Sequence, residues 1–255
     1  MAAFPLMLPG TSRPPKLVVF DLDHTLIACD ATILWTEFLY EKKIVTDPIW
    51  RQYDRDMVKS YAKGVLDIRD FCRKHAGAFR SIPEEKLHAL AQEFAKKKIA
   101  PLIFPDGKKW AKNALQANIP VCVLSASAAF IVKPIAKLFG LTDAMGIELA
   151  FKDGFCTGEI VGIPTFQEGK VERLSQRLAE AGIGFEDVLF FTDSRNDLPL
   201  AERAGYTVCV NPDAVLESAA RKNGWKVAEW KLSLRTQMTA QVDAKGVPET
   251  QTVRS

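Results

Sequence analysis

The sequence predicts an α/β protein: a Rossmann-like parallel sheet with helices on both faces and a helical cap subdomain inserted into it. Three observations carry this. Four short apolar runs alternate with segments of helical periodicity, the pattern of an α/β core. The runs are apolar almost without interruption, as strands are when helices cover both faces of a sheet. About 97 residues, Leu22 to Asn118, separate the first run from the second, whereas a crossover between parallel strands needs only a dozen or so.

The first strand is Lys16–Asp21 (KLVVFD). The long gap then reads as helices over Thr32–Lys43, Pro48–Lys63, Leu66–Phe79, Pro83–Ile99 and Asp106–Asn118. Pro48 and Pro83 suit first-turn positions, where a missing N–H costs nothing. The second strand is Ile119–Ser125 (IPVCVLS), and a helix over Phe130–Gly140 ends on a glycine suited to the left-handed C-terminal cap. Gly154 and Gly158 bracket a hairpin between Glu148 and Gly162. Helices over Gly169–Gly182 and Leu198–Gly205 flank the third strand, Asp187–Asp193 (DVLFFTD). The fourth is Tyr206–Asn211 (YTVCVN), and Trp225–Trp230 is a candidate fifth. Residues 14–30 and 104–230 therefore form the core and 31–103 the cap. The polar segment 231–255 lacks periodicity and is expected to be loosely held.

Composition narrows the function. Hydrophobic residues are 47% and charged residues 25%, values of a globular chain long enough to bury a core without disulfide or metal staples. A formal charge of +3 is too small to imply a nucleic-acid partner. Between Glu41 and Lys112 there are 17 Lys and Arg against 10 Asp and Glu, which fits a solvated helical surface with a weak hint of an anionic substrate. The five cysteines show no zinc or redox spacing, so buried reduced thiols and a reducing compartment are expected. No apolar run approaches the ~20 residues of a membrane span. Met1 to Arg13 has no basic stretch ahead of its apolar residues and is broken by Pro5 and Pro9, unlike a signal peptide. The expected location is cytoplasmic, with no membrane partner.

Three of the strands end in residues capable of chemistry: Asp21-Leu22-Asp23-His24-Thr25, Ser125-Ala126-Ser127, and Thr192-Asp193-Ser194-Arg195-Asn196-Asp197. Ligands of open α/β sheets bind at the carboxyl ends of the strands, so these clusters converge. Asp21, Asp23 and Asp193 would repel one another without a cation between them. Oxygen-only ligands select a hard ion, and Mg²⁺ suits carboxylates combined with water and phosphate oxygens. A carboxylate kept ionised can attack phosphorus, and Ser125 supplies a hydroxyl donor. Lys170 lies at a helix start, against the preference of the helix dipole, which marks it as a site cation.

Together these residues resemble the haloacid dehalogenase-like superfamily, subfamily IB, over roughly residues 16 to 230. Its Asp-x-Asp-x-Thr motif is matched by Asp21-Leu22-Asp23-His24-Thr25, its Ser or Thr after a hydrophobic strand by Ser125, its Lys by Lys170 and its acidic pair by Asp193 and Asp197. The cap between the first two motifs is similar to that of phosphoserine phosphatases. Ser125-Ala126-Ser127-Ala128-Ala129-Phe130 and Asn211-Pro212-Asp213 resemble a bacterial branch described as phosphoserine or histidinol-phosphate phosphatases. The resemblance implies that Asp21 forms an aspartyl-phosphate and Asp23 is the general acid and base. It implies that the Asp21 carboxylate, the Asp23 backbone carbonyl and Asp193 hold Mg²⁺. Ser125, Lys170 and Asn196 would bind the phosphoryl oxygens, with Asp197 orienting Lys170. The expected partner is a small phosphorylated metabolite, an amino alcohol phosphate.

Asp30 stands nine residues after Asp21, where phosphoserine phosphatases place an acid for the substrate amine. It is equally suited to cap the helix that follows. Their cap arginine, which takes the substrate carboxylate, has no clear match, although Arg55 or Arg69 could substitute. That departure favours histidinol phosphate over phosphoserine. His75, His88, Trp35, Trp50 and Trp110 are read as surface or core residues, and Cys29 as a packed thiol. Two other readings remain at this point, a phosphoacceptor signalling module and a phosphotransferase of the same fold.

Overall fold

Val18 and Phe20 face one side of the central strand and Leu17 and Val19 the other, all four fully buried, which is why the run carries no polar alternation. The computed structural model describes residues 13–232. This strand, β1 (Leu17–Phe20), pairs in parallel with β2 (Val121–Ala128) on one side and β6 (Val188–Thr192) on the other. β3 (Ala144–Ile147) extends the sheet beyond β2, and β7 (Tyr206–Val210) and β8 (Lys226–Ala228) extend it beyond β6. The order is β3-β2-β1-β6-β7-β8. The chain runs outward from β1 in one direction and from β6 in the other, so the switch point lies between these two strands. Asp21 and Asp193 each follow one of them.

Helices pack on both faces, as expected. On one, Leu17, Val19 and Phe190 meet Val171, Leu174 and Leu178 of α7 (Glu168–Ala181). On the other, Phe20 and Phe191 stack at 4.5 Å, covered by α5 (Pro105–Gln116) and α6 (Ala129–Ala136). α6 continues as one 3-10 turn to Gly140, whose φ of +76° confirms the predicted cap. Between β1 and β2 lie α1 (Ala31–Glu41), α2 (Ile49–Lys63), α3 (Ile68–His75) and α4 (Glu84–Phe94). Trp35 of α1 is fully buried and meets Phe94 and Phe130 edge-on at 5.4 and 5.5 Å. It is a packing residue joining α1, α4 and α6. The hairpin β4 (Leu149–Lys152) and β5 (Phe155–Ile160) forms its own antiparallel sheet.

Several expectations need correction. Pro48 and Pro83 sit at the N-cap positions of α2 and α4, one residue ahead of the first turn. The helix expected over Pro83–Ile99 changes at Phe94 into a π-helical turn, Ala95–Ile99, and that over Leu66–Phe79 is α3 plus a 3-10 turn. The helix α8 spans only Leu198–Ala201. β3 and α9 (Ala214–Asn223) have no counterpart among the elements expected from the sequence. Asp213 caps α9, its carboxylate accepting from the Val215 and Leu216 amides. The expectations for Met1–Ser12 and for the tail beyond Leu232 lie outside the described residues. All five cysteines are free, and among the described residues no helix is long and apolar enough to cross a membrane.

α2 and α3 meet over a buried polar pair. Nε2 of His75 lies 3.0 Å from Thr36 Oγ1 and 3.5 Å from Asp54 Oδ1. Burial pushes the Asp54 carboxyl up to about 7 and His75 down to about 4. A carboxyl raised in the fold binds protons that the unfolded chain has lost. Its contribution therefore turns unfavourable as pH rises through 4 to 7 and is fully so above that. Asp54→Asn is expected to stabilise the protein at pH 8 by about 2 kcal/mol, with the gain shrinking toward pH 4. Thermal melts of both proteins across that range check it; a gain that grows on acidification would contradict the assignment.

Candidate active site

β1 delivers Asp21 into the crevice, with its amide donating to the Phe191 carbonyl of β6 at 2.9 Å. Lys170 enters from the first turn of α7, 1% exposed. Its Nζ is 2.7 Å from Asp21 Oδ1 and 2.7 and 2.9 Å from the two oxygens of Asp197. Thr192 Oγ1 donates to Asp197 Oδ2 at 2.7 Å, and Thr25 Oγ1 to Asp193 Oδ1 at 3.2 Å. The turn ahead of Lys170 is tight: a Cβ on Gly169 would lie 1.9 Å from the Pro164 carbonyl oxygen. Asp197 thus lies against Lys170, both of its oxygens within hydrogen-bonding distance of Nζ.

Asp23 faces α1 instead. Its Oδ1 accepts from the Ala31 amide of α1 at 2.6 Å, and its Oδ2 from Ser127 Oγ at 2.8 Å and Ser125 Oγ at 3.3 Å. Ser125 thus contacts Asp23 rather than Asp21. Asn196 is buried but directs Nδ2 to the Tyr61 carbonyl of α2 at 3.0 Å. Of the three groups expected at the phosphoryl oxygens, only Lys170 touches Asp21. Asp30 caps α1, its Oδ1 accepting from Ile33 N at 3.0 Å, and it also lines the cavity above the site.

That cavity holds about 190 Å³ between the strand ends and helices α1 to α3. Asp21, Asp23, Asp30 and Asp193 line it, together with Met57, Tyr61, Leu66 and Phe71. Among the described residues no Lys or Arg lines it, and neither Arg55 nor Arg69 does. His24, exposed and at φ +54°, is at the rim.

Burial drives the electrostatics. It pushes Asp21 up to about 7 against the pull of Lys170, with Asp197 and Asp23 adding to the rise. Asp23 is pushed up to about 6 by burial and by the charge of Asp30, opposed by its bonds to Ala31 and Ser127. Asp193 is raised well above the carboxylate range by burial, then by Asp21 and Asp197. Burial lowers Lys170, but Asp197 and Asp21 outweigh it and hold the ammonium protonated. Asp21, Asp23, Asp193 and Asp197 against the one ammonium leave three excess negative charges when ionised. A hard divalent cation at Asp21 and Asp193 would cancel two of them. The described residues hold no ready-made cage of three acidic, His or Cys side chains, and two carboxylates completed by a backbone carbonyl and water are enough for such an ion.

Ser127 and Thr192 stand in the strand-end clusters but carry no role in the sequence reading, and Tyr61 and Gln167 are absent from it; their contacts place all four at this site. Ser127 was within reach: two residues beyond Ser125 on a strand, it shares its face.

The model of the haloacid dehalogenase-like hydrolases matches residues 18–202. The chain belongs to the haloacid dehalogenase-like hydrolase family. Among members, the histidinol-phosphatase of Neisseria meningitidis serogroup C (strain 8013) is 35% identical over 220 residues, covering 85% of this chain and 99% of that one. A phosphoserine phosphatase of Mycobacterium tuberculosis is 27% identical over 239 residues, covering 90% and 77%. A protein of unknown function from Bordetella pertussis Tohama I superposes with a TM-score of 0.75 at 32% identity, covering 83% of this chain and 96% of that chain. A phosphoserine phosphatase carrying a phospho-aspartyl intermediate analogue shares the fold at TM-score 0.64 and 22% identity, covering 89% and 99%. This haloacid dehalogenase-like hydrolase is therefore an enzyme of the phosphatase class.

Proposed function

We propose that this phosphatase hydrolyses a small amino alcohol phosphate, histidinol phosphate in preference to phosphoserine, through an aspartyl-phosphate on Asp21. The observation that carries the substrate is the cavity lining. A substrate carboxylate would find no Lys or Arg there and would face Asp30. An amine finds Asp30, and an imidazole finds the apolar wall of Phe71, Tyr61 and Met57. The similarity to a relative named histidinol-phosphatase supports the same choice.

Asp21 attacks phosphorus in its ionised form, which Lys170 favours at 2.7 Å. Mg²⁺, held by Asp21, Asp193 and the Asp23 backbone carbonyl, would neutralise charge on the phosphoryl oxygens. Asp23, raised to about 6, gives a proton to the leaving alcohol and then takes one from the water that cleaves the intermediate. Its partner Ser127 lies 3.1 Å from Thr32 Oγ1. Two hydroxyls in series can reverse their direction of donation, so the same contacts serve both protonation states of Asp23. Ser125 and Asn196 would reach the phosphoryl oxygens by exchanging a present protein partner. The acid at position 23 and the covered cavity weigh against a long-lived phosphoacceptor module.

Initial rates on histidinol phosphate, phosphoserine and p-nitrophenyl phosphate, with and without EDTA, test this. Histidinol phosphate is expected to exceed phosphoserine in kcat/KM by about 100-fold, since a buried unpaired carboxylate loses at least that much, and EDTA is expected to stop turnover. Phosphoserine as the better substrate would overturn the specificity. Asp30→Ala is expected to lower kcat/KM on histidinol phosphate by about 30-fold and on the aryl phosphate by less than about threefold. Equal losses on both would make Asp30 a helix cap alone.

A further inference from the structure

Gln167 holds a backbone conformation that side chains avoid. Its φ is +48° and its ψ −124°. The turn it occupies is closed by hydrogen bonds from Phe166 N to Pro164 O, Gly169 N to Phe166 O and Lys170 N to Gln167 O. Such strain persists where the surroundings over-determine it, and it clusters at working sites. Here the side chain has a use. Its Nε2 donates to the Gly64 carbonyl at 3.2 Å and to Asn196 Oδ1 at 3.1 Å.

The orientation of this pair of amides follows from their outer partners. The Gly64 carbonyl can only accept, so the NH₂ of Gln167 faces it. That same NH₂ then meets the oxygen of Asn196. The NH₂ of Asn196 is left to the Tyr61 carbonyl, again an acceptor only, at 3.0 Å, and to Ser194 Oγ at 3.3 Å. Tyr61 and Gly64 form the C-terminal corner of cap helix α2, where the Tyr61 carbonyl also accepts from the Gly64 amide at 2.9 Å. The ring of Tyr61 also packs on Phe166 at 5.8 Å. One glutamine thus joins three pieces: the loop that carries Lys170, the loop that carries Asp197, and the cap corner whose Tyr61 lines the cavity.

We propose that Gln167 is a positioning residue, which aligns the Asn196 amide and latches the α2 corner of the cap onto the core so that the cavity stays closed over the phosphoryl end of the substrate. This rests on Asp21 and Lys170 being that end. The latch forms from hydrogen bonds that exchange easily with water, so it can release for product exit.

The test uses Gln167→Met, which keeps length without a donor, and Gln167→Gly, which suits the backbone and removes the side chain. Turnover of p-nitrophenyl phosphate and amide hydrogen exchange across residues 57–66 are measured for both. KM is expected to rise about tenfold with kcat within about threefold, the worth of one or two net hydrogen bonds. Exchange across 57–66 is expected to quicken while the sheet strands keep wild-type rates. Wild-type KM with wild-type exchange, or a change in only one of the two, overturns the proposal. So does a fall in kcat at constant KM. Should one variant fail to fold, the other decides the matter by the same two measurements. If wild-type protein proved inactive on phosphomonoesters, the catalytic reading would fail by itself, and the exchange rates would still judge whether Gln167 holds the cap.

Discussion

Asp21→Asn is expected to leave a folded protein that no longer turns over phosphomonoesters. An amide cannot form the phosphoryl ester on which the two-step reaction depends, and loss of a covalent nucleophile costs on the order of 10⁴-fold or more in kcat. The fold has reason to survive the change. Asn matches Asp in shape, and Lys170 keeps its two contacts to Asp197 at 2.7 and 2.9 Å. The substitution also removes a carboxylate that burial raises and whose charge adds to the rise of Asp193. The melting temperature should therefore hold or rise. Phosphate release, thermal melts and the intact mass of acid-quenched protein read the three parts separately: wild type gains a phosphoryl group during turnover and the variant gains none. A variant within tenfold of wild-type turnover would remove Asp21 from its role.

How far the sequence reached depended on what kind of information each feature needed. The four central strands were legible because strands buried on both faces are written as apolar runs, as Leu17 through Phe20 are. The approach of Asp21 and Asp193 followed from topology, since strand ends at a switch point meet whatever the loops do, whereas Lys170 arrives from the first turn of α7. β3 escapes a sequence reading because four residues with a glycine look like a break. Gly146 is there for contact: a Cβ on it would lie 2.8 Å from both the Ala129 Cα and the Ser127 carbonyl. α9 is different, since Asp213 and Gly224 mark both its ends and the local signal was present. Side-chain direction was the harder part. Ser125 donates to Asp23 and Asn196 to the cap because of where α1 and α2 pack, and neither helix position is encoded near those residues. Gln167 carried no sequence signal, since its positive φ belongs to the turn held by Pro164 and Phe166.

Lys170→Met is expected to damage both stability and turnover, and the two losses can be separated. Lys170 is the cation between Asp21 and Asp197, buried with them. Its ammonium outweighs its own burial cost only because both carboxylates face it. Replaced by an apolar chain of similar length, it leaves two buried carboxylates beside Asp193 with no opposite charge. Breaking a buried pair in this way costs about 3–5 kcal/mol. Asp21, already raised by burial, loses the opposing pull of Lys170, so its protonation relieves the strain. The variant should regain stability relative to wild type as pH falls from 8 toward 5, the sign that raised carboxyls require. Turnover should fall by about 10³-fold, because Asp21 loses the charge that favours its ionised form and the phosphoryl oxygens lose a donor. Adding Asp197→Asn removes one stranded charge and should recover most of the lost stability, since the amide oxygen introduced there can still accept from Thr192. It should recover none of the turnover. Thermal melts of the single and double variants at pH 5 and pH 8, beside their phosphate-release rates, check each step. A double variant that regained activity along with stability would mean that Lys170 serves only to balance charge, and that the phosphoryl group meets its cation elsewhere.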